Sequence, residues 1–71
     1  MKEKRVEVIL GFMVPEWVAY VAQDGDGDWF GWEKKPKKNM GENRWSGGGE
    51  FIHIASGHEN DTWFETLTEA A

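Results

Sequence analysis

The sequence predicts a mainly β (or small α+β) domain. Its expected core is a four- to five-stranded antiparallel sheet around a central hairpin at 17–33, with a short C-terminal helix; a compact SH3-like barrel is the alternative arrangement. Three observations carry this. An apolar, β-branched and aromatic run, Trp17–Gln23, enters the tight stretch Asp24–Asp28, and a second aromatic run, Trp29–Glu33, leaves it. Asp-Gly between two such runs is a strong hairpin signal, because the turn needs positive φ, which Asp tolerates and Gly adopts freely. Second, Arg5–Leu10 and Glu50–Ala55 alternate in polarity with the period of two that strands require. Third, the chain has 71 residues and no cysteine, yet carries five Trp, four Phe and one Tyr. A chain this short makes one domain, 1–71, with a marginal core and no disulfide to staple it. Ten aromatics, at about 150–250 Å² of burial each, are what holds it.

With Asp26 and Gly27 as the turn centre, Gln23 faces Phe30 and Val21 faces Trp32. Trp17, Ala19, Val21, Phe30 and Trp32 then share one face, and Val18, Tyr20, Ala22 and Trp29 the other. A loop of odd length regroups the faces but leaves apolar residues on both. A small hairpin ordinarily keeps one face wet. Either the rest of the chain covers both faces, or one is held for a partner; exposed aromatic patches mark such sites.

In chain order, Val6, Val8 and Leu10 alternate with Glu7 in a first strand. Gly11 is placed for a bend or bulge, and Phe12–Val14 extends the strand to Pro15. Proline followed by Glu16 also suits a helix start, but Val18, Tyr20 and Val21 are weak helix formers, so Trp17–Gln23 is read as strand. Lys34–Asn43 reads as a polar loop, Arg44–Ser46 as a brief strand or aromatic plug, and Gly47–Gly49 as a flexible connection. In the next strand, Glu50–Ala55, Ile52 and Ile54 share one face and Phe51, His53 and Ala55 the other. Ser56–Asn60 is a turn. Thr62 and Glu65 have capping-box spacing, which predicts a helix over 63–69 burying Trp63 or Phe64 with Leu67. A final aromatic strand is the competing reading there.

The formal charge is −5 and unevenly placed. Residues 1–44 carry eight acidic and eight basic side chains; residues 45–71 carry Glu50, Glu59, Asp61, Glu65 and Glu69 with no Lys or Arg. An acidic final third argues against electrostatic nucleic-acid binding and suits a basic protein partner or solubility. No stretch approaches the roughly 18 apolar residues of a membrane span. Lys2, Lys4 and Arg5 ahead of Val6–Val14 have the outline of a secretory leader, but Glu7 interrupts the apolar region and no small-residue cleavage site follows.

No constellation points to a reaction. Counting from Asp24, the calcium-loop positions for Gly and the bidentate Glu hold Trp29 and Lys35, so Asp24–Asp28 is read as a turn and no metal is expected. His53, His58, Glu59 and Asp61 are metal-ligand types without diagnostic spacing. Ser46 and Ser56 lack a nucleophile elbow, and Ser46–Gly49 lacks the Lys-Ser/Thr ending of a phosphate loop. The expectation is therefore no enzyme, no catalytic residue and no cofactor. Lys34, Lys35, Lys37 and Lys38 near Trp29, Phe30 and Trp32 carry the opposing case for single-strand nucleic-acid binding by base stacking in a basic groove.

Residues 15–36 have a further pattern: Pro15, Trp17, Tyr20, Val21, Ala22, Asp24, Asp26, Gly27, Trp29, Trp32, Glu33 and Pro36, with Trp63 and Leu67 later. This resembles a group of short, largely uncharacterised bacteriophage and prophage proteins sharing W-x-x-[YW]-[VI]-A-x-D-x-[DN]-G-x-W-x-x-[WY]-E-x-x-P. The resemblance implies a phage origin and the cytoplasm of a bacterial host, and its motif residues read as framework. It implies no catalytic residue. Together with the aromatic excess and the acidic end, it makes the leading expectation a small accessory protein that binds a host protein stoichiometrically and inhibits or redirects it, as in host takeover or anti-defence. Trp, Tyr and Arg usually anchor interfaces, so the candidate contacts are Tyr20, Trp29, Trp45, Glu59, Asp61 and Glu65. The alternatives are an acidic DNA mimic and the single-strand-binding module above. A homodimer is a further way to cover aromatic surface.

Overall fold

The computed structural model describes residues 3–6 and 11–70. Among these the protein is mainly β. Its strands, in chain order, are β1 (Glu3–Val6), β2 (Phe12–Pro15), β3 (Tyr20–Gln23), β4 (Asp28–Trp32), β5 (Lys37–Asn39), β6 (Arg44–Ser46), β7 (Phe51–Ser56) and β8 (Thr68–Glu69), with one 3₁₀ turn at Trp63–Glu65. A four-stranded sheet runs β7-β4-β3-β8, and β1-β2 and β5-β6 form two-stranded ribbons. All pairings are antiparallel.

The central hairpin is present, but its register differs by one from an even-loop reading. Gln23 pairs with Trp29, Ala22 with Phe30 and Tyr20 with Trp32. The Gly27 amide donates to the Asp24 carbonyl at 2.9 Å and the Asp24 amide to the Asp28 carbonyl at 2.9 Å. This is a three-residue loop whose last residue, Gly27, has φ 101°, the turn-plus-bulge solution for odd loops. Asp26 Oδ1 stabilises it by accepting from the Asp28 amide at 3.1 Å. A Cβ on Gly27 would overlap the Gly57 carbonyl, so this position requires glycine both for φ and for space. The odd loop moves Phe30 and Trp32 onto the face of Tyr20 and Ala22, away from Val21.

Two cores follow from this regrouping. Val14, Val18 and Val21 form one, with Trp17, Trp29, Ile54 and Ala70 packed against it. Ala22, Trp32, Trp45 and Trp63 form the other, flanked by Tyr20, Phe30, Phe64 and Leu67. Both faces of the hairpin are thus covered by the chain itself over most of their area.

Several elements depart from expectation. Phe12–Pro15 does not extend the first strand; it returns antiparallel to it, with Gly11 at φ 79° before the new strand. Val8–Leu10 lies outside the described residues. The third strand starts at Tyr20 rather than Trp17, because the Val18 amide closes a turn onto the Pro15 carbonyl at 3.1 Å. The polar loop at Lys34–Asn43 contains β5, whose residues are too polar to read as strand; it is held by its pairing with β6 across a turn in which Asn43 has φ 55°. Gly47–Gly49 is not a slack connection: the Gly48 carbonyl accepts from the Lys34 amide at 2.8 Å, and a Cβ at Gly48 would sit 2.6 Å from Trp32 Cε3. In β7 a bulge leaves Ile54 unpaired between His53 and Ala55, so Ala55 joins the Trp29 face instead of that of Phe51 and His53.

The C-terminal helix reduces to the single 3₁₀ turn, followed by β8. Thr62 makes no side-chain cap; its hydroxyl donates instead to Asn60 Oδ1 at 2.9 Å. Thr66 Oγ1 accepts from the Gln23 amide at 2.8 Å, drawing the chain back onto β3. Trp63 is nevertheless buried, with Phe64 and Leu67 packed against it, without the helix expected to bury Trp63 or Phe64.

Candidate binding groove

The Trp32 face of the sheet is covered at one end by Trp45 from β6 and Trp63 from the 3₁₀ turn, whose rings meet edge to face at 5.8 Å. Past that cover, β4 continues beside the edge strand β7, and the face opens into a groove of about 480 Å³. Its aromatic lining is Phe30, Trp32, Trp45 and Phe51. The Phe51 ring lies 5.1 Å from that of Trp32 and 6.0 Å from that of Phe30. It is 57 % exposed, a large value for a ring with two aromatic neighbours. His53 extends the patch, edge-on to Phe30 at 5.3 Å and 3.5 Å from Asp28 Oδ1. Phe51 and His53 lie opposite Trp32 and Phe30 in the sheet, so strand pairing itself builds the cluster.

Five carboxylates complete the lining: Asp24, Asp26, Asp28, Glu42 and Glu59. The hairpin loop supplies the first three, the β5–β6 turn Glu42, and the 57–60 connection Glu59. These segments are tied together. The Gly25 amide donates to the Asn43 carbonyl at 2.8 Å, and the Asn60 amide to the Gly25 carbonyl at 3.1 Å. Arg44 is the basic residue of the lining, 3.9 Å from Glu42. Burial pushes the Asp24 carboxyl above its ordinary value. The Trp45 amide, which donates to it at 2.9 Å, and Arg44 work against that shift, whereas Asp26 and Asp28 add to it. Asp26 and Asp28 thus act on Asp24 as like charge, with Arg44 the opposing cation of the groove wall.

Gln23 anchors this arrangement from beneath. It is 6 % exposed, and its Nε2 donates to the carbonyls of Gly27 at 3.0 Å and His58 at 3.2 Å. Its Oε1 accepts from Asn60 Nδ2 at 2.9 Å, and its backbone carbonyl accepts from Trp45 Nε1 at 3.0 Å. One side chain thus fixes the acidic loop against the 57–60 connection, and its backbone holds the tryptophan behind them.

The residues singled out from sequence are dispersed. Trp45 is 3 % exposed and belongs to the core, its ring edge-on to that of Trp63, and it contributes to the groove from beneath. Tyr20 and Trp29 are half-buried on opposite faces, packed against different cores. Glu59 lines the groove, while Glu65 lines a second concavity of about 470 Å³ with Lys35, Lys37, Lys38, Phe64 and Leu67. Asp61 lines neither. The lysines do not join Trp29 or Trp32 in a stacking platform; Lys38 Nζ sits 5.8 Å from the Phe64 ring centre instead. Sequence reading missed Phe30, Phe51 and Glu42 as one site. The available signal was that Phe51 and His53 share one face of a strand, but only the β4–β7 pairing brings them to β4 and its Asp-rich loop.

Among the described residues no three His, Asp or Glu side chains converge as a metal shell, and no helix is long and apolar enough to cross a membrane. Comparison with protein-family models, curated proteins and solved structures finds no match.

Proposed function

We propose that the protein is a binding module, a phage-encoded accessory protein that docks stoichiometrically on one host protein and inhibits or redirects it. The observation that carries the reading is Phe51. A phenylalanine more than half exposed, its ring against buried Trp32 at the mouth of a groove, is apolar area left uncovered where the chain buries Trp32, Trp45 and Trp63 in its own core. Interface anchors are typically aromatic side chains surrounded by groups that exclude water, and Phe30, Phe51 and His53 with their polar margin have that composition. The phage-type pattern over residues 15–36 supports the setting, and three of its residues, Asp24, Asp26 and Trp32, line the groove. Residues 45–71 carry five acids, few for imitation of a phosphate backbone, so the docking reading is favoured over mimicry.

The test is affinity capture from host lysate, followed by calorimetric titration of the captured protein with wild type and Phe51→Ala. One-to-one binding that weakens about tenfold or more in the variant, a change of about 1.4 kcal/mol, is the expected result. A partner that binds both proteins equally refutes the assignment of this face.

A further inference from the structure

We infer that the groove receives an arginine side chain carried on a peptide segment of the partner. This rests on the docking reading above and adds the chemistry of the occupant. Charge complementarity comes first: five carboxylates against one arginine leave the lining strongly negative, and that arginine already faces Glu42. The ring cluster comes second. Phe30, Trp32 and Phe51 lie within 6.5 Å of one another, centre to centre, and Phe51, 57 % exposed, is the ring of the three open to a cation.

A planar guanidinium satisfies both features at once, stacking on an aromatic face while its fork of N–H donors meets carboxylates. A lysine ammonium is more strongly hydrated and cannot fork in this way. A trimethylated ammonium has no N–H to give the carboxylates.

A third observation separates a peptide from a bare cation. Trp32 lines the groove and is 4 % exposed, and its indole Nε1 has no hydrogen-bond partner. A buried donor without an acceptor is costly, and a free cation brings no acceptor. A peptide bearing the arginine brings carbonyl oxygens. The Nε1 atom is buried in the free protein, so an acceptor reaches it only if the groove lining rearranges.

The experiment uses the intact ¹⁵N-labelled protein and three blocked tripeptides, acetyl-Gly-X-Gly-amide with X as arginine, lysine or citrulline. Citrulline keeps the shape of arginine and removes its charge. The expected result is a saturable shift of the Trp32 indole N–H, with arginine binding at least about tenfold tighter than citrulline and tighter than lysine. The triple variant D26N/D28N/E59Q keeps every side-chain shape and should weaken arginine binding by a similar factor. Equal response to arginine and citrulline, or no shift at Trp32 up to about 10 mM peptide, overturns the inference. So does self-association of the chain that saturates the same resonances as protein concentration rises, since the occupant is then a second copy. The captured host protein separates the two levels. If its binding is lost in Phe51→Ala but unchanged in the triple variant, docking stands and the arginine does not. If it survives both, the docking reading itself fails.

Discussion

Replacing Gln23 by methionine isolates the polar anchor under the groove. The two side chains have nearly the same length and volume, so no cavity opens and the cost is that of hydrogen bonds alone. The structure assigns three to the side chain: a buried one to the Gly27 carbonyl, and part-buried ones to the His58 carbonyl and from Asn60 Nδ2. At about 1 kcal/mol for each net bond, and somewhat more where a group is stranded without water, the loss is about 2–4 kcal/mol. A 71-residue domain has only about 4–10 kcal/mol in total. The urea midpoint should therefore fall by roughly 2 M or more at unchanged slope, and Tm by roughly 10–25 °C. Buried Trp45 and Trp63 report the transition by fluorescence. Gln23→Glu should be worse at neutral pH. It keeps the acceptor for Asn60 but aims acceptors at two carbonyls and buries a charge. A Gln23→Met variant within about 0.5 kcal/mol of wild type, or a glutamate variant more stable than the methionine one, would show that the network contributes little and that the loops are held by something else.

Asp24→Asn tests the electrostatics of the groove. An acid whose folded pKa is raised binds more protons folded than unfolded, so stability is full at low pH and falls as pH rises from the unfolded value of 3.8 through the raised one. The asparagine variant keeps an acceptor for the Trp45 amide, so it should equal wild type in strong acid and exceed it at neutral pH in urea melts; a gap that does not change with pH contradicts this. Gly48→Ala should destabilise by about 1–3 kcal/mol through overpacking, since its Cβ would lie 2.6 Å from Trp32 Cε3 and 2.7 Å from the Lys34 carbonyl; a neutral melt would mean that the Trp32 ring yields freely.

Local chemistry made the hairpin legible. Asp and Gly at 24–28 admit few conformations besides a tight reversal, and alternation in Glu50–Ala55 admits little besides a strand. That Trp63 or Phe64 would be buried with Leu67 was legible too, though the helix expected to bury them is absent. What local chemistry could not set was whether the loop held an even or an odd number of residues, and a single residue of register sends each side chain to the opposite face. Here Gly27 at φ 101° and the Gly57 carbonyl it packs against decide it, a contact between segments thirty positions apart.

The same separation explains the groove. Phe51, Glu42 and Glu59 are unremarkable in their own segments and become a site only when β7 pairs with β4 and Gln23 ties the 57–60 connection to the hairpin. The capping box failed for a related reason: Thr66 gains more by bonding β3 than the chain gains from about one further turn of unsupported helix. Residues 71 long and rich in tryptophan were enough to specify strands and an aromatic interior. Which aromatics stay outside, and which acids surround them, follows from long-range pairing, because only there do surfaces distant in the chain compete for the same cover.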